Sequence, residues 1–239
     1  MYTKEILQFI KGSLSSENFF EKLDEFFYSH FNRSCSSMLE LRKRTEKTKG
    51  ELFEVFCLMY LECKGYEAWL LKDVPEDISG ALGLTKHDVG VDIVARVHQK
   101  NKKTGESQYI YFAVQCKYRS PGKDYKGRSV HRVTWKDVST FLSLCTRTGP
   151  WVKHVIMTNA LTVSWKGKKT PKDYTIARNT FKKQTNSFWC ELYYKFSSTT
   201  QSLPLQQPTQ ITLQPTTTTA SQQQREQRLL WLDKLYEKK

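Results

Sequence analysis

The sequence predicts an α/β domain with the order helix, three strands, helix, strand, and three observations predict it. Residues 50–64, GELFEVFCLMYLECK, are apolar on nearly every side, as in a helix enclosed by a core. Short β-branched and aromatic runs follow at 66–71, 91–97 and 109–117, separated by polar stretches, which is the composition of strands. A helical pattern at 135–145, with Val138, Phe141, Leu142 and Cys145 on one side, then precedes a buried-strand pattern at 152–157, VKHVIM.

Taken in order, residues 1–46 read as two or three short amphipathic helices carrying Ile6, Leu7, Phe9 and Ile10, then Phe19, Phe20, Leu23, Phe26 and Phe27, and finally Met38, Leu39 and Leu41. Packing on the core is their expected role, with a small module touching DNA as the alternative. Gly65 is placed to stop the long helix, and residues 72–86 read as a loop. The runs at 91–97 and 109–117 flank a polar stretch containing Gly105, the pattern of a hairpin. Residues 120–133, SPGKDYKGRSVHRV, form either a connector or a mobile basic arm. From 197 to 224 the chain turns to uncharged Thr, Gln, Ser and Pro, the composition of a disordered linker. Residues 225–239 then resume as a charged helix with Leu229, Leu230, Leu232 and Leu235, either a partner-binding helix or the start of a further domain. The expected division is therefore 1–46, 47–196, 197–224 and 225–239.

The chemistry concentrates at 87–119. A turn centred on 103–105 would set Asp92 opposite residues 115–117 at one edge of the sheet, and strand alternation puts Gln115 and Lys117 on one face. A carboxylate, an amide oxygen and an ammonium converging there form a hard, oxygen-rich cation site beside a fixed positive charge, which suits Mg²⁺ and phosphate. The competing reading of each residue alone is a solvated hairpin end. Glu54 lies within the apolar helix, where an unpartnered carboxylate is costly, so it should reach the surface, pair or hold a cation. Glu51 lies one turn earlier on the same side. Asp88, close before Gly90, has the alternative role of a turn residue bonding its own backbone.

Gly50-x-x-Phe53-Glu54 on a helix, then Asp88-x-Gly90-x-Asp92 and Gln115-x-Lys117, resembles the PD-(D/E)xK nuclease superfamily, most closely its Mrr-like restriction endonuclease branch, in which Gln stands for the usual second acidic residue. The resemblance covers residues 47–196. It implies a restriction-endonuclease-like core, α-β-β-β-α-β with a mixed central sheet flanked by helices, behind a helical N-terminal extension. The implied activity is endonucleolytic hydrolysis of DNA phosphodiesters with Mg²⁺, for which Mn²⁺ is the expected substitute. It also implies roles: Asp92 as principal metal ligand, Gln115 as the second strand-borne position, and Lys117 near the scissile phosphate and attacking water. Glu54 would be the helix carboxylate and a metal ligand, the Cys116 carbonyl a further ligand with its thiol turned to the core, and Asp88 an additional ligand. Gln115 leaves one negative charge fewer than an acidic residue would, which keeps two alternatives in view: a non-catalytic DNA-binding module with a degenerate site, and a nuclease selective for junctions or flaps.

The charge balance agrees with a polyanionic partner: 38 Lys and Arg against 24 Asp and Glu, a formal net charge of +14. Basic residues cluster at 100–103, 117–132 and 166–183. Tyr118, Arg119, Lys123, Lys126, Arg128, Arg132, Lys166, Lys168 and Lys169 are the expected DNA contacts, with Trp165 a second aromatic candidate. The six cysteines show no zinc spacing, and phosphate-loop and dinucleotide fingerprints are missing. With no signal peptide and no membrane-length apolar run, an intracellular protein is expected. Cutting both strands takes two active sites, so a homodimer is an open expectation. In related architectures such modules accompany helicase or translocase motors, which makes a motor domain or subunit a partner suggested by the resemblance alone.

Overall fold

Helix α3 (Met38–Cys63) is the long rod on which one side of the molecule is built. Its second half buries Leu52, Phe53, Phe56, Cys57, Met59, Tyr60 and Leu61, so the all-round apolar pattern reflects enclosure from several directions. It ends where the pattern predicted. Gly65 takes φ 89°, and the Gly65 and Tyr66 amides return to the Glu62 and Leu61 carbonyls, satisfying two of the carbonyls a helix end leaves orphaned. The computed structural model describes residues 2–14, 18–29, 38–85, 90–100, 105–120, 131–167 and 169–201. The linker and C-terminal helix expected at 202–239 lie outside them, as does most of the basic arm. The chain divides into two compact units, Met1–Ser197 and Ser198–Lys239, and the central sheet belongs to the first.

The central sheet has five strands: β1 (Glu67–Leu70), β2 (Ile93–Lys100), β3 (Ser107–Lys117), β5 (Lys153–Thr158) and β7 (Asp173–Ile176), in that spatial order. β1, β2 and β3 are antiparallel neighbours, while β3, β5 and β7 run parallel, so the sheet is mixed as expected. β7 was not anticipated, because DYTI is only four residues long and sits in a polar, lysine-rich stretch. A second, two-stranded parallel sheet joins β4 (Val133–Thr134) to β6 (Val163–Ser164). A 3-10 turn over Trp135–Val138, locked by the Thr134 and Asp137 capping box, leads into α5 (Ser139–Cys145).

Each face of the sheet buries a separate set of side chains. Val94, Ala113 and Ile156 share a core with Val138 of the 3-10 turn and with Phe141 and Leu144 of α5. Helix α4 (Glu76–Leu82) completes that layer with Ile78 and Leu82. The expected loop at 72–86 is thus replaced in part by a helix whose signals are short: Glu76 and Asp77 in the first turn favour the positive helix end, and Gly83 at φ 66° ends it. On the opposite face α3 packs with α1 (Tyr2–Ser13), α2 (Phe19–Ser29), α6 (Arg178–Lys182) and α7 (Asn186–Gln201) through a cluster of aromatic rings. Phe20 stacks on Phe181 at 5.0 Å and Phe19 on Trp189 at 4.5 Å, which fastens the N-terminal helices to the domain. Among the described residues no helix is long and apolar enough to cross a membrane.

Gly90, just ahead of β2, has φ 124°, and a Cβ there would stand 2.9 Å from the Phe141 Cα. The close approach is to α5. Gly90→Ala therefore faces both a disfavoured backbone and a backbone clash, and a loss on the order of 2–3 kcal/mol is expected in urea unfolding; wild-type stability would refute the assigned packing.

Candidate active site

Asp92 is the first residue ahead of β2, and its main chain is held from both sides. Its amide donates to the Val114 carbonyl and its carbonyl accepts from the Leu71 amide, each at 2.9 Å. The Ile93↔Val114 register brings Asp92 level with Gln115, as the hairpin argument required. Its carboxylate Oδ2 accepts the Cys116 amide at 2.6 Å, a charge-assisted bond that fixes the side chain across the two strand ends. Glu54 arrives from α3. It lines a cavity of about 460 Å³ together with Asp92, Cys116, Lys117 and Arg119. A neighbouring cavity of about 380 Å³ shares Glu51, Glu54 and Asp92 and adds Tyr2 and Lys72. Lys47 and Lys72 escaped the sequence reading. The first had a signal, its i,i+4 spacing to Glu51, with which it pairs at 3.8 Å. Tyr2, donating to Glu51 Oε2 at 3.0 Å across 49 residues, had none.

Burial pushes the Glu54 carboxyl up to about 7, and the negative charges of Asp92 and Glu51 push the same way against Lys117 and Lys72. Burial also lifts Asp92 to about 6, opposed by the Cys116 N–H and Lys117. Both values exceed those of an unfolded chain, so the protein binds more protons folded than unfolded between about pH 4 and 7. Stability from these two groups is complete below that window and is lost as pH rises through it. His131, lowered by burial, contributes with the opposite sign over part of the same range. The clean measurement is thus a difference: without divalent cation, the Tm of the wild type should drop between pH 5 and 7.5 relative to a Glu54→Gln variant, and parallel curves would refute the shift.

Gln115 is only 3 % exposed, and its Oε1 has no hydrogen-bond partner among the described residues. It does not line the cavity that holds Glu54 and Lys117. A buried amide oxygen without a donor is costly, and a cation is one means of satisfying it. The Cys116 thiol turns to α3 and bonds the Cys57 thiol, and burial pushes both thiols up, so neither is primed as a nucleophile. The described residues hold no group of three or more His, Cys, Asp or Glu that could close on a metal by themselves, and Asp88 lies outside the described residues. Among the described residues, a metal here would need amide, main-chain or water oxygens besides these carboxylates.

The expected DNA contacts are placed unevenly. Arg119 lines the cavity, with its Nη2 2.9 Å from Asp137. Tyr118 lines it too, but its ring packs against Phe27 and Phe53 at 6.1 and 5.8 Å and its hydroxyl reaches the Asp24 carbonyl, so its aromatic face is engaged by the scaffold. Trp165 likewise packs against the α5 core. Arg132, ahead of β4, and Lys166 and Lys169, after β6, are exposed. Lys123, Lys126, Arg128 and Lys168 lie outside the described residues.

The Mrr_cat_2 family model, described as restriction endonuclease, matches residues 61–187. Two solved structures are similar to the chain. One is the DNA modification-dependent restriction endonuclease AspBHI, at 11% identity and TM-score 0.39, covering 66% of this chain and 38% of that one. The other is the MspJI restriction endonuclease in complex with a 27-mer oligonucleotide, at 16% identity and TM-score 0.37, covering 70% and 36%. The chain spans less than two fifths of either of those chains. No curated protein matches it significantly.

Proposed function

The chain belongs to the Mrr_cat_2 restriction endonuclease family, and on that premise we propose that the pocket between α3 and the ends of β2 and β3 hydrolyses DNA phosphodiesters with a divalent cation, Mg²⁺ or in its place Mn²⁺. The observation that carries the reading is one cavity lined by two carboxyl groups whose affinity for protons burial raises, Asp92 and Glu54, and by the Lys117 ammonium. The donors fit a hard cation: the Asp92 and Glu54 carboxylates and the Cys116 carbonyl are oxygens of residues that line the cavity, and the orphaned Gln115 amide oxygen, next along the strand though not on the cavity wall, would be a fourth. Bound there, the cation supplies Lewis acidity that lowers the pKa of water and offsets charge gathering on the phosphate.

The chain's own residues do the rest. Asp92 and Glu54 surrender their protons when the cation is taken up, so its affinity rises with pH through the range 6 to 7. Lys117 pairs with a non-bridging phosphate oxygen and helps orient the attacking water. Lys47 and the exposed Arg132, Lys166 and Lys169 hold flanking phosphates and supply affinity without sequence information. Because Gln115 is neutral, cation binding is weaker than in a site with a third carboxylate.

Supercoiled plasmid and single-stranded DNA incubated with Mg²⁺, Mn²⁺ or a chelator test the proposal. Cutting is expected with either cation, none with the chelator, and less than about 1% of wild-type cutting for Lys117→Ala, the scale of losing a charge aimed at the transition state. Cutting that survives both the chelator and Lys117→Ala would refute it, and DNA binding without cutting would leave a binding module. Linear product formed without a nicked intermediate would indicate a homodimer, since one site cuts one strand at a time.

A further inference from the structure

Beyond Lys117 the third strand leaves the sheet, and a buried polar network takes over the work of a neighbouring strand. Thr158, fully buried at the end of β5, donates its hydroxyl to the Lys117 carbonyl at 2.6 Å and accepts the Ala160 amide at 3.1 Å. Asn159, also fully buried, clamps one residue further on. Its Oδ1 accepts the Arg119 amide at 2.7 Å, and its Nδ2 donates to the Arg119 carbonyl at 2.9 Å. That side-chain amide thus makes both bonds a paired strand residue would make. The same Nδ2 donates to Asp24 Oδ1 at 2.8 Å, and Asp24 Oδ2 is paired with the Arg178 guanidinium. His131 Nε2 adds a contact to the Arg119 carbonyl at 3.0 Å.

We infer that Thr158 and Asn159, backed by Asp24 of the N-terminal extension, are positioning residues that set the main chain at Lys117 and just beyond it, and so aim the Lys117 ammonium. The inference rests on the nuclease reading of the site. Its physical ground is where the polar groups sit. Taking a carboxylate, a guanidinium, an amide and a hydroxyl out of water is unfavourable, and an apolar strand end would be at least as stable. These groups bond the carbonyl of Lys117 and both main-chain polar groups of Arg119, residues of the cavity wall. Asp24 also makes the N-terminal helices a structural part of the site: α2 contributes no group to the chemistry but holds the side chain that holds the strand end.

Thr158→Val removes the hydroxyl and keeps the branch, while Thr158→Ser restores the hydroxyl in a smaller side chain. A misplacement of about 1 Å at a reacting group costs on the order of a hundredfold in rate. Thr158→Val should therefore lower kcat some 10- to 100-fold with KM for DNA near the wild-type value, and Thr158→Ser should recover most of it. Asn159→Asp, which loses both donors and faces Asp24 with a second carboxylate, should do at least as much damage; circular dichroism on each variant checks that the fold survives. A readout independent of cutting is the ¹³C resonance of dimethylated Lys117, assigned by its disappearance in Lys117→Arg. It should move in Thr158→Val and return in Thr158→Ser. An unmoved resonance, an unchanged kcat, or equal loss in Val and Ser would overturn the inference. If the wild type cuts no DNA, the nuclease reading falls and the resonance alone decides the positioning role.

Discussion

Asp92→Asn should abolish cleavage without harming the fold. The main-chain bonds that seat residue 92 between Leu71 and Val114 do not involve its side chain, and an amide oxygen can still accept the Cys116 amide that the carboxylate accepts now. What disappears is a negative charge at the meeting point of two strand ends and α3. Loss of a cation's principal carboxylate removes several kcal/mol of transition-state stabilisation, and roughly 4 kcal/mol corresponds to about a thousandfold in rate. The same substitution relieves a buried carboxyl that burial holds at about 6, so at pH 7.5 without cation the variant should melt no lower than the wild type. It should also lose any rise in Tm on adding Mg²⁺ or Mn²⁺. Cutting within tenfold of wild type would remove Asp92 from the site. A collapse in Tm would instead make it a structural residue.

The second large effect lies in the aromatic cluster. Phe56 is fully buried, and its ring lies 6.3 Å from Phe20, 5.6 Å from Phe27, 5.5 Å from Phe181 and 6.1 Å from Trp189. One side chain of α3 thereby joins α2, α6 and α7. Phe56→Ala deletes a ring from a place that cannot close up around the gap, because rigid rings line it on several sides. The expected cost is about 3–5 kcal/mol, a large part of the 5–15 kcal/mol typical of a domain. For a unit of this size that is roughly a 10 °C fall in Tm. Phe56→Leu should recover more than half. A loss below about 1 kcal/mol in urea unfolding would mean that the N-terminal helices do not share this core. Phe56 and Glu54 are on the same helix, so a loosened cluster should also raise the cation concentration needed for cutting.

The sequence by itself determined the register of the hairpin that carries Asp92, Gln115 and Lys117 of the proposed site. A hairpin with alternating side chains has one register once its turn is located, and the Ile93↔Val114 pairing agrees with it. The end of α3 at Gly65 and the Glu54 position were legible for the same local reason. The mixed character of the sheet was expected from the resemblance and is present in the strand directions. Short elements were not legible: α4 and β7 carry too few residues for a period to stand out from their polar surroundings.

Only the tertiary structure decided what surrounds that inner set. Tyr118 looked like a substrate-facing aromatic beside basic residues, but Phe27 and Phe53, distant in sequence, enclose its ring. Gly90 stood in the sequence only as part of the Asp88-x-Gly90-x-Asp92 motif, and its structural reason is the backbone of Phe141 on another element. Asp24 and Asn159 are 135 residues apart yet share a hydrogen bond, and no spacing rule can announce such a pair. The division has one physical cause. Backbone periodicity is written locally and repeats every two or 3.6 residues, whereas burial, the raised Glu54 and Asp92 protons and the network behind Lys117 depend on which surfaces close together when the chain folds.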